Sequence, residues 1–71
     1  MEKPLNVLSE AIGHNVIVVL RGRHEYRGVL DGYDPHLNVV LRDAEAFTEG
    51  RSTGKMATVI VRGDNVIYIS P

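Results

Sequence analysis

Two short polar segments, far apart in the sequence, carry the side chains best suited to bind another molecule. The first is Asp34-Pro35-His36-Leu37-Asn38 and the second is Arg62-Gly63-Asp64-Asn65. Imidazole and guanidinium groups are both planar, and both can stack on a nucleobase. If the fold brings the two segments together, His36 and Arg62 would close a slot that is one base thick.

An asparagine in the first segment would make such a slot selective. The amide of Asn38 has one acceptor and two donors. In one fixed orientation it pairs with the adjacent N3–H and O4 of uracil. Cytosine has the opposite order of donor and acceptor at these positions, so a fixed amide discriminates between the two bases. Asp34 and Asp64 are the candidates for fixing it, and the segments therefore predict a slot for one uracil.

Taken singly, each of these residues is better explained as an ordinary turn residue. The same residues would occur if the histidine lay on a surface turn, the asparagine were selected for its backbone conformation and the arginine ended a strand. Only the complete set, with its order and spacing, favours the slot.

No other residues form a recognisable catalytic or metal-binding pattern. The three serines lie in no nucleophile-elbow context, and the glycines fit neither a phosphate loop nor a dinucleotide fingerprint. The chain has no cysteine, and its three histidines are too far apart for a metal motif. We therefore expect a protein that is not an enzyme and that needs no metal or other cofactor.

The charge balance limits how the chain could bind a nucleic acid. Eight Lys and Arg residues stand against nine Asp and Glu residues, which gives a net charge of -1. Proteins that bind nucleic acid by bulk electrostatics usually have a pI above about 9, so a localised site is expected instead. No apolar run approaches the ~20 residues that span a bilayer, and the first residues lack a signal-peptide pattern. The expected protein is cytoplasmic, with no membrane partner.

The slot would be positioned by one short helix and five short strands. Pro4 suits the first position of a helix over residues 4–12, and Gly13 suits its end. Runs rich in β-branched and apolar residues predict strands at 15–20, 25–32, 38–42, 55–62 and 66–69. Gly28 marks a bend or bulge in the second strand. Residues 43–54 read as the longest loop or an irregular hairpin, and Gly63-Asp64-Asn65 as a tight hairpin turn.

Five short strands with one core predict a small, strongly bent β-barrel, of either OB or SH3-like type. The length of 71 residues leaves room for one domain, residues 1–71. Chains of this size without disulfides usually need another support. The apolar runs at 16–20, 59–61 and 66–69, and edge strands without protective charges, predict that this support is self-association.

The chain resembles the Sm and Sm-like (LSm) family, and most closely its short archaeal members. The first Sm motif is matched by residues 28–44 and the second by residues 61–66, and the resemblance covers essentially the whole chain. It implies a mainly β fold, with an N-terminal helix on a strongly bent five-stranded antiparallel SH3-like barrel. It also implies rings, heptameric in most archaeal cases, that form by pairing of the fourth strand with the fifth strand of a neighbour.

In similar proteins, uridine-rich single-stranded RNA binds around the inner rim of the ring, one base per subunit. The matching positions all lie in or beside the two polar segments: His36 and Arg62 for stacking, Asn38 for the uracil edge, and Asp34, Gly63 and Asp64 for support of the site. Tyr33 matches a position that makes a secondary RNA contact beside the helix in some archaeal relatives.

The leading prediction is therefore a homo-oligomeric ring that binds uridine-rich single-stranded RNA and scaffolds ribonucleoprotein complexes. An SH3-like protein-interaction or assembly module without an RNA ligand is one alternative. An OB-type barrel that binds single-stranded DNA without base preference is another. The first alternative has no need of the trio His36, Asn38 and Arg62, and the second has no need of Asn38.

Overall fold

The computed structural model describes residues 3–71 as one helix and one five-stranded antiparallel sheet, strongly bent, which confirms the predicted fold class. The elements are α1 (Pro4–Ala11), β1 (Asn15–Leu20), β2 (His24–Tyr33), β3 (Val39–Thr48), β4 (Arg51–Val61) and β5 (Val66–Ser70), with a 3-10 turn at Gly63–Asn65. The strand order is β4-β3-β2-β1-β5. Within the described residues no ladder joins β4 to β5, so these two strands are the edges of the sheet.

The short helix α1 depends on its contacts with the sheet, because eight residues are marginal as an isolated helix. Its side chains Leu8 and Ala11 are buried in the core. Past the helix end, Gly13 has a φ of 84° and donates its N–H to the carbonyl of Leu30 at 2.8 Å. The predicted helix start at Pro4 and stop at Gly13 are both confirmed.

The core is a single apolar cluster between the curved sheet and α1. All of its buried members are apolar, and they come from the helix and from the first four strands: Leu8, Ala11, Val16, Val18, Leu30, Val39, Leu41, Ala44 and Val61. Because the core is small and the sheet bends around it, the strands must curve sharply over a few residues.

The sharpest constraint on that curvature is at Gly28. The register between β2 and β3 shifts across it, between Arg27 and Val29, and Asp43 on the facing strand has a φ of 50°. A Cβ atom on Gly28 would lie 2.9 Å from the carbonyl oxygen of Arg42 and 3.0 Å from the Cα of Ala44. The irregularity predicted at this glycine is therefore confirmed, but the extra residue of the bulge lies on β3, and its close approach requires a residue without a side chain at position 28.

Residues 43–54 form a hairpin whose register shifts between Ala46 and Phe47, which confirms the predicted irregular hairpin and shows that the long-loop alternative is wrong. β3 runs on to Thr48, β4 begins at Arg51, and only Glu49 and Gly50 connect them, with φ values of 51° and 81°. Positive φ at both central residues is typical of a two-residue hairpin turn with the twist of the strands. The polar composition that suggested a loop belongs to a mostly half-buried end of β3 and to the exposed start of β4.

The turn at Gly63–Asn65 exists, but it does not form a hairpin. It is a single 3-10 turn between β4 and β5, and these strands lie at opposite edges of the sheet. Strand β5 pairs with β1 instead, with Val66 opposite Leu20. The local residues determine the turn, but the bend of the whole sheet determines which strand β5 joins.

Both edge strands expose large apolar side chains. Ile60 on β4 is 74% exposed, and Ile67 and Tyr68 on β5 are 59% and 57% exposed. An apolar groove of about 370 Å³ lies beside β5, with Val7 of α1 and Leu37 among its lining residues. Within residues 3–71, no helix is long and apolar enough to span a membrane.

Replacing Gly28 by alanine should lower the free energy of unfolding by ~1–3 kcal/mol, because the added Cβ meets the backbone of β3. Gly32→Ala, in the same strand, is the matched control, since a Cβ there has nothing within 4 Å. Denaturant unfolding of both variants at equal protein concentration measures the difference. Equal stability of the two variants would contradict the close approach of β2 and β3.

Candidate nucleic-acid interface

The fold brings the two polar segments together. Residues 34–38 connect β2 to β3, and residues 62–65 connect β4 to β5. Tyr33 pairs with Val39 and Val39 pairs with Val61, so both connections leave the sheet at neighbouring strand ends. Residues that are separated widely in the sequence therefore form one surface.

Asp34 organises the first segment through its own backbone and carboxylate. The carboxylate oxygen Oδ1 accepts hydrogen bonds from the N–H groups of His36 at 2.9 Å and Asn38 at 3.1 Å. The carbonyl of Asp34 accepts the N–H of Leu37 at 3.0 Å, and its N–H donates to the carbonyl of Asn38 at 3.1 Å. These bonds hold Leu37 at a φ of 62°. An aspartate that accepts bonds from the next few N–H groups is typical of tight turns.

The side-chain amide of Asn38 is held at both of its polar atoms. Its Nδ2 donates to Asp34 Oδ2 at 2.9 Å, and its Oδ1 accepts the backbone N–H of Gly63 at 2.8 Å. An amide has two N–H donors and two oxygen lone pairs. One donor and one lone pair of Asn38 are therefore used within the protein, and one of each is left for a ligand.

Gly63 allows the two segments to approach this closely. A Cβ atom on Gly63 would coincide with the carbonyl oxygen of His36 and would lie 2.9 Å from the carbonyl carbon of Leu37. Any side chain at position 63 would push the segments apart and remove the N–H from Asn38. The backbone contact therefore explains why the position needs glycine.

These hydrogen bonds lower the pKa of Asp34 below its ordinary value. The largest cause is the amide donor of Asn38, and the backbone N–H groups of Asn38 and His36 act in the same direction. Partial desolvation of the carboxyl group acts against them. The lowered pKa follows from bonds that stabilise the charged form.

The structure corrects one expectation for the support of Asn38. Asp64 does not hold the amide; its Oδ2 lies 3.2 Å from Nη2 of Arg62, and both side chains are mostly exposed. The second partner of Asn38 is the N–H of Gly63, a residue that was predicted to support the site but not to donate to the amide. A backbone donor has no signature in residue type. The glycine itself was the available signal, because it indicates a close backbone approach.

His36 on the first segment and Arg62 on the second are both exposed to solvent. Their backbones are fixed, since the N–H of His36 is bound to Asp34 and the carbonyl of Arg62 accepts the N–H of Asn65 at 3.2 Å. The two segments that hold the amide thus each expose a planar group, the imidazole of His36 and the guanidinium of Arg62, which contacts Asp64. Tyr33 is different: it packs against the core, and its hydroxyl donates to the carbonyl of Leu5 in α1 at 3.1 Å.

A family model for the LSM domain matches residues 6–71. The chain belongs to the Sm-like (LSm) family. An Sm-like protein of Methanococcoides burtonii is 49% identical to this LSm chain over 69 residues, which are 97% of the chain and 96% of the relative.

Solved LSm structures agree in fold. The Sm protein of Pyrococcus abyssii, determined in complex with a uridine heptamer, has a TM-score of 0.94 and 46% identity, and the match covers 99% of each chain. A heptameric SmAP protein of P. aerophilum has a TM-score of 0.91 and 42% identity, with 100% of this chain and 95% of the other covered. At these identities and coverages, this LSm chain resembles the solved structures in sequence along its length as well as in fold.

The lowered pKa of Asp34 predicts how this LSm site responds to acid. Because the pKa is lower in the folded state, the carboxylate contributes stability that is fully present above the unfolded value, about 3.9. That contribution is lost as the pH falls through the lowered pKa of the folded state. NMR titration of the Asp34 carboxyl group should show a midpoint below that of an exposed aspartate.

The variant Asn38→Ala is the control for this titration, since it removes the largest cause of the shift. Asp34 should titrate at a higher pH in the variant than in the wild type. The same midpoint in both proteins would contradict the bond between Asp34 and Asn38.

Proposed function

We propose that this LSm protein forms a homo-oligomeric ring, most simply a heptamer, that binds uridine-rich single-stranded RNA at its inner rim. Residues 1–71 act as a single Sm-like domain, and the ring scaffolds ribonucleoprotein complexes by binding rather than by catalysis. A cytoplasmic location is part of the proposal, because its RNA ligand is found inside cells. The observation that carries the proposal is the amide of Asn38, held at both polar atoms beside exposed His36 and Arg62.

Base selectivity follows from the N–H and the oxygen lone pair of the Asn38 amide that are not bonded within the protein. The remaining Nδ2–H of Asn38 donates to O4 of uracil, and the remaining lone pair of Oδ1 accepts N3–H. Cytosine places an acceptor at N3 and a donor at N4, so both contacts become mismatched. A good bidentate pair discriminates between bases by ~1–3 kcal/mol.

The amide cannot adapt to cytosine by rotating. A flipped Asn38 would place its oxygen against the carboxylate of Asp34 and its NH₂ group against the N–H of Gly63. Two hydrogen bonds of 2.9 and 2.8 Å would be replaced by two repulsive contacts. Unpaired polar groups cost ~1–3 kcal/mol each, so the orientation persists when a ligand binds.

Affinity comes from stacking on the two planar side chains. His36 and Arg62 present the imidazole and guanidinium groups to the faces of the base that Asn38 reads. Stacking of a base on a protein side chain contributes ~1–3 kcal/mol and does not depend strongly on the base. The contact of Arg62 with Asp64 at 3.2 Å restrains the guanidinium beside the turn.

Ring assembly covers the two exposed edges. Pairing of β4 with β5 of the next subunit satisfies the free backbone groups of both edges and buries Ile60, Ile67 and Tyr68. Such an interface is head-to-tail, and it closes into a ring when the rotation per subunit divides a full turn. The similar protein of P. aerophilum is a heptamer, which supports ring assembly, and that of Pyrococcus abyssii was determined with a uridine heptamer, which supports binding of uridine-rich RNA.

Fluorescence anisotropy with labelled oligo-uridine, oligo-cytidine and oligo-thymidine tests the base site. Wild type should bind oligo-uridine roughly 5- to 150-fold more tightly than oligo-cytidine. Asn38→Ala should lose this preference, because the amide is removed. Arg62→Ala should weaken binding of every oligomer while the preference remains, because stacking is lost and the amide stays in place.

Two exposed residues provide matched controls for these variants. Asn65→Ala removes a neighbouring asparagine side chain, and Arg42→Ala removes an arginine that pairs with Asp31 on β2. Both controls should bind like the wild type. Equal binding of all oligomers by the wild type would overturn the base site, and a monomer in native mass spectrometry at micromolar concentration would overturn the ring.

A further inference from the structure

Three turns of the chain are joined in series by backbone hydrogen bonds. The N–H of Arg21, at the end of β1, donates to the carbonyl of Asn65 in the base-site segment at 3.2 Å. The N–H of Glu49, in the β3–β4 turn, donates to the carbonyl of Arg23 at 2.9 Å. The β1–β2 turn at residues 21–23 therefore bridges the base site and the β3–β4 turn.

The β1–β2 turn and the β3–β4 hairpin carry arginines that the base site does not use. Arg21, Arg23 and Arg51 are all exposed, and we call these three residues the arginine surface. The ion pairs of residues 3–71 engage other arginines, at positions 27, 42 and 62, and leave the arginine surface without a carboxylate within 4.0 Å. Exposed arginines without an ion-pair partner therefore lie on turns that backbone hydrogen bonds connect to the base-site segment.

The carboxylates of these turns do not cancel that charge. Glu25 is paired with Arg27 at 2.8 Å, whereas Glu45, which accepts the hydroxyl of Ser52 at 2.6 Å, keeps its negative charge. Glu49 is the exposed carboxylate that remains in the β3–β4 turn. The three arginines outnumber the two carboxylates without a cationic partner, Glu45 and Glu49, which leaves a locally positive surface on a chain whose net charge is -1.

We propose that the RNA strand leaving the base sites runs over the arginine surface, where Arg21, Arg23 and Arg51 bind its phosphates. The guanidinium group matches phosphate geometry and forms charge-assisted hydrogen bonds with it. Binding of single strands generally combines a basic track for the backbone with side chains that hold the bases. This inference rests on the proposed function, and it adds a sequence-independent segment to the RNA path.

The test compares a uridine heptamer with the same oligomer extended at either end by a cytidine tail of about eight nucleotides. The tail adds phosphates but no bases that Asn38 selects. Wild type should bind the tailed oligomer more tightly, and this gain should fall as salt rises. The double variant Arg21→Gln/Arg23→Gln should lose the gain and keep the affinity for the untailed heptamer.

The size of the effect follows from counterion release. Each phosphate contact to a single strand contributes about 0.7 to the slope of log affinity against log salt, so two lost contacts remove about 1.4. Between 50 and 200 mM salt this amounts to roughly a sevenfold difference. The double variant Arg27→Gln/Arg42→Gln removes the same charge from residues that already face carboxylates, and it should keep the tail effect.

The outcomes separate this inference from the proposed function. Tight, uridine-selective binding of the heptamer with no gain from the tail would overturn the arginine surface alone. A tail effect that survives Arg21→Gln/Arg23→Gln, or an equal loss of affinity for both oligomers, would overturn it as well. If the wild type does not bind the uridine heptamer, the proposed function fails, and this inference fails with it.

Discussion

The hydrogen bond from the Gly63 N–H to Asn38 Oδ1 joins two segments whose residues lie 25 positions apart, and the site depends on it. It requires a glycine, because a Cβ at position 63 would occupy the place of the His36 carbonyl oxygen. It also requires the antiparallel pairing of β3 with β4, which places the end of β4 beside the start of β3. Together with the bond to Asp34, it fixes the side-chain amide of Asn38 in one orientation.

Much of this arrangement could be predicted from residue types, and the remainder depends on backbone contacts. Pro4, Gly13 and Gly28 indicated the helix ends and the bulge, since each has a local conformational requirement. The pairing of β5 with β1 and the donor from Gly63 depend on long-range geometry, which the residue types did not reveal. The Glu49-Gly50 turn was missed because glutamate is not among the residues that usually mark such turns.

Pairing of the edge strands connects assembly of this small chain with binding. A sheet with two exposed edges and a small core gains stability when copies pair, so stability depends on protein concentration. Pairing also repeats the amide of Asn38 and the side chain of Arg62 around a rim. A net charge of -1 per chain is then a poor guide to affinity, because the cations that matter are placed locally.

Hydrogen exchange of the Gly63 backbone amide in the ligand-free protein, followed by NMR, tests most directly whether the amide is fixed before RNA binds. The Gly63 N–H should be protected relative to the neighbouring Asp64 N–H, and the protection should disappear in Asn38→Ala because its acceptor is removed. Exchange of Gly63 as fast as that of Asp64 in the wild type would contradict the account. The amide of Asn38 would then be free to turn, and selectivity for uridine would need another source.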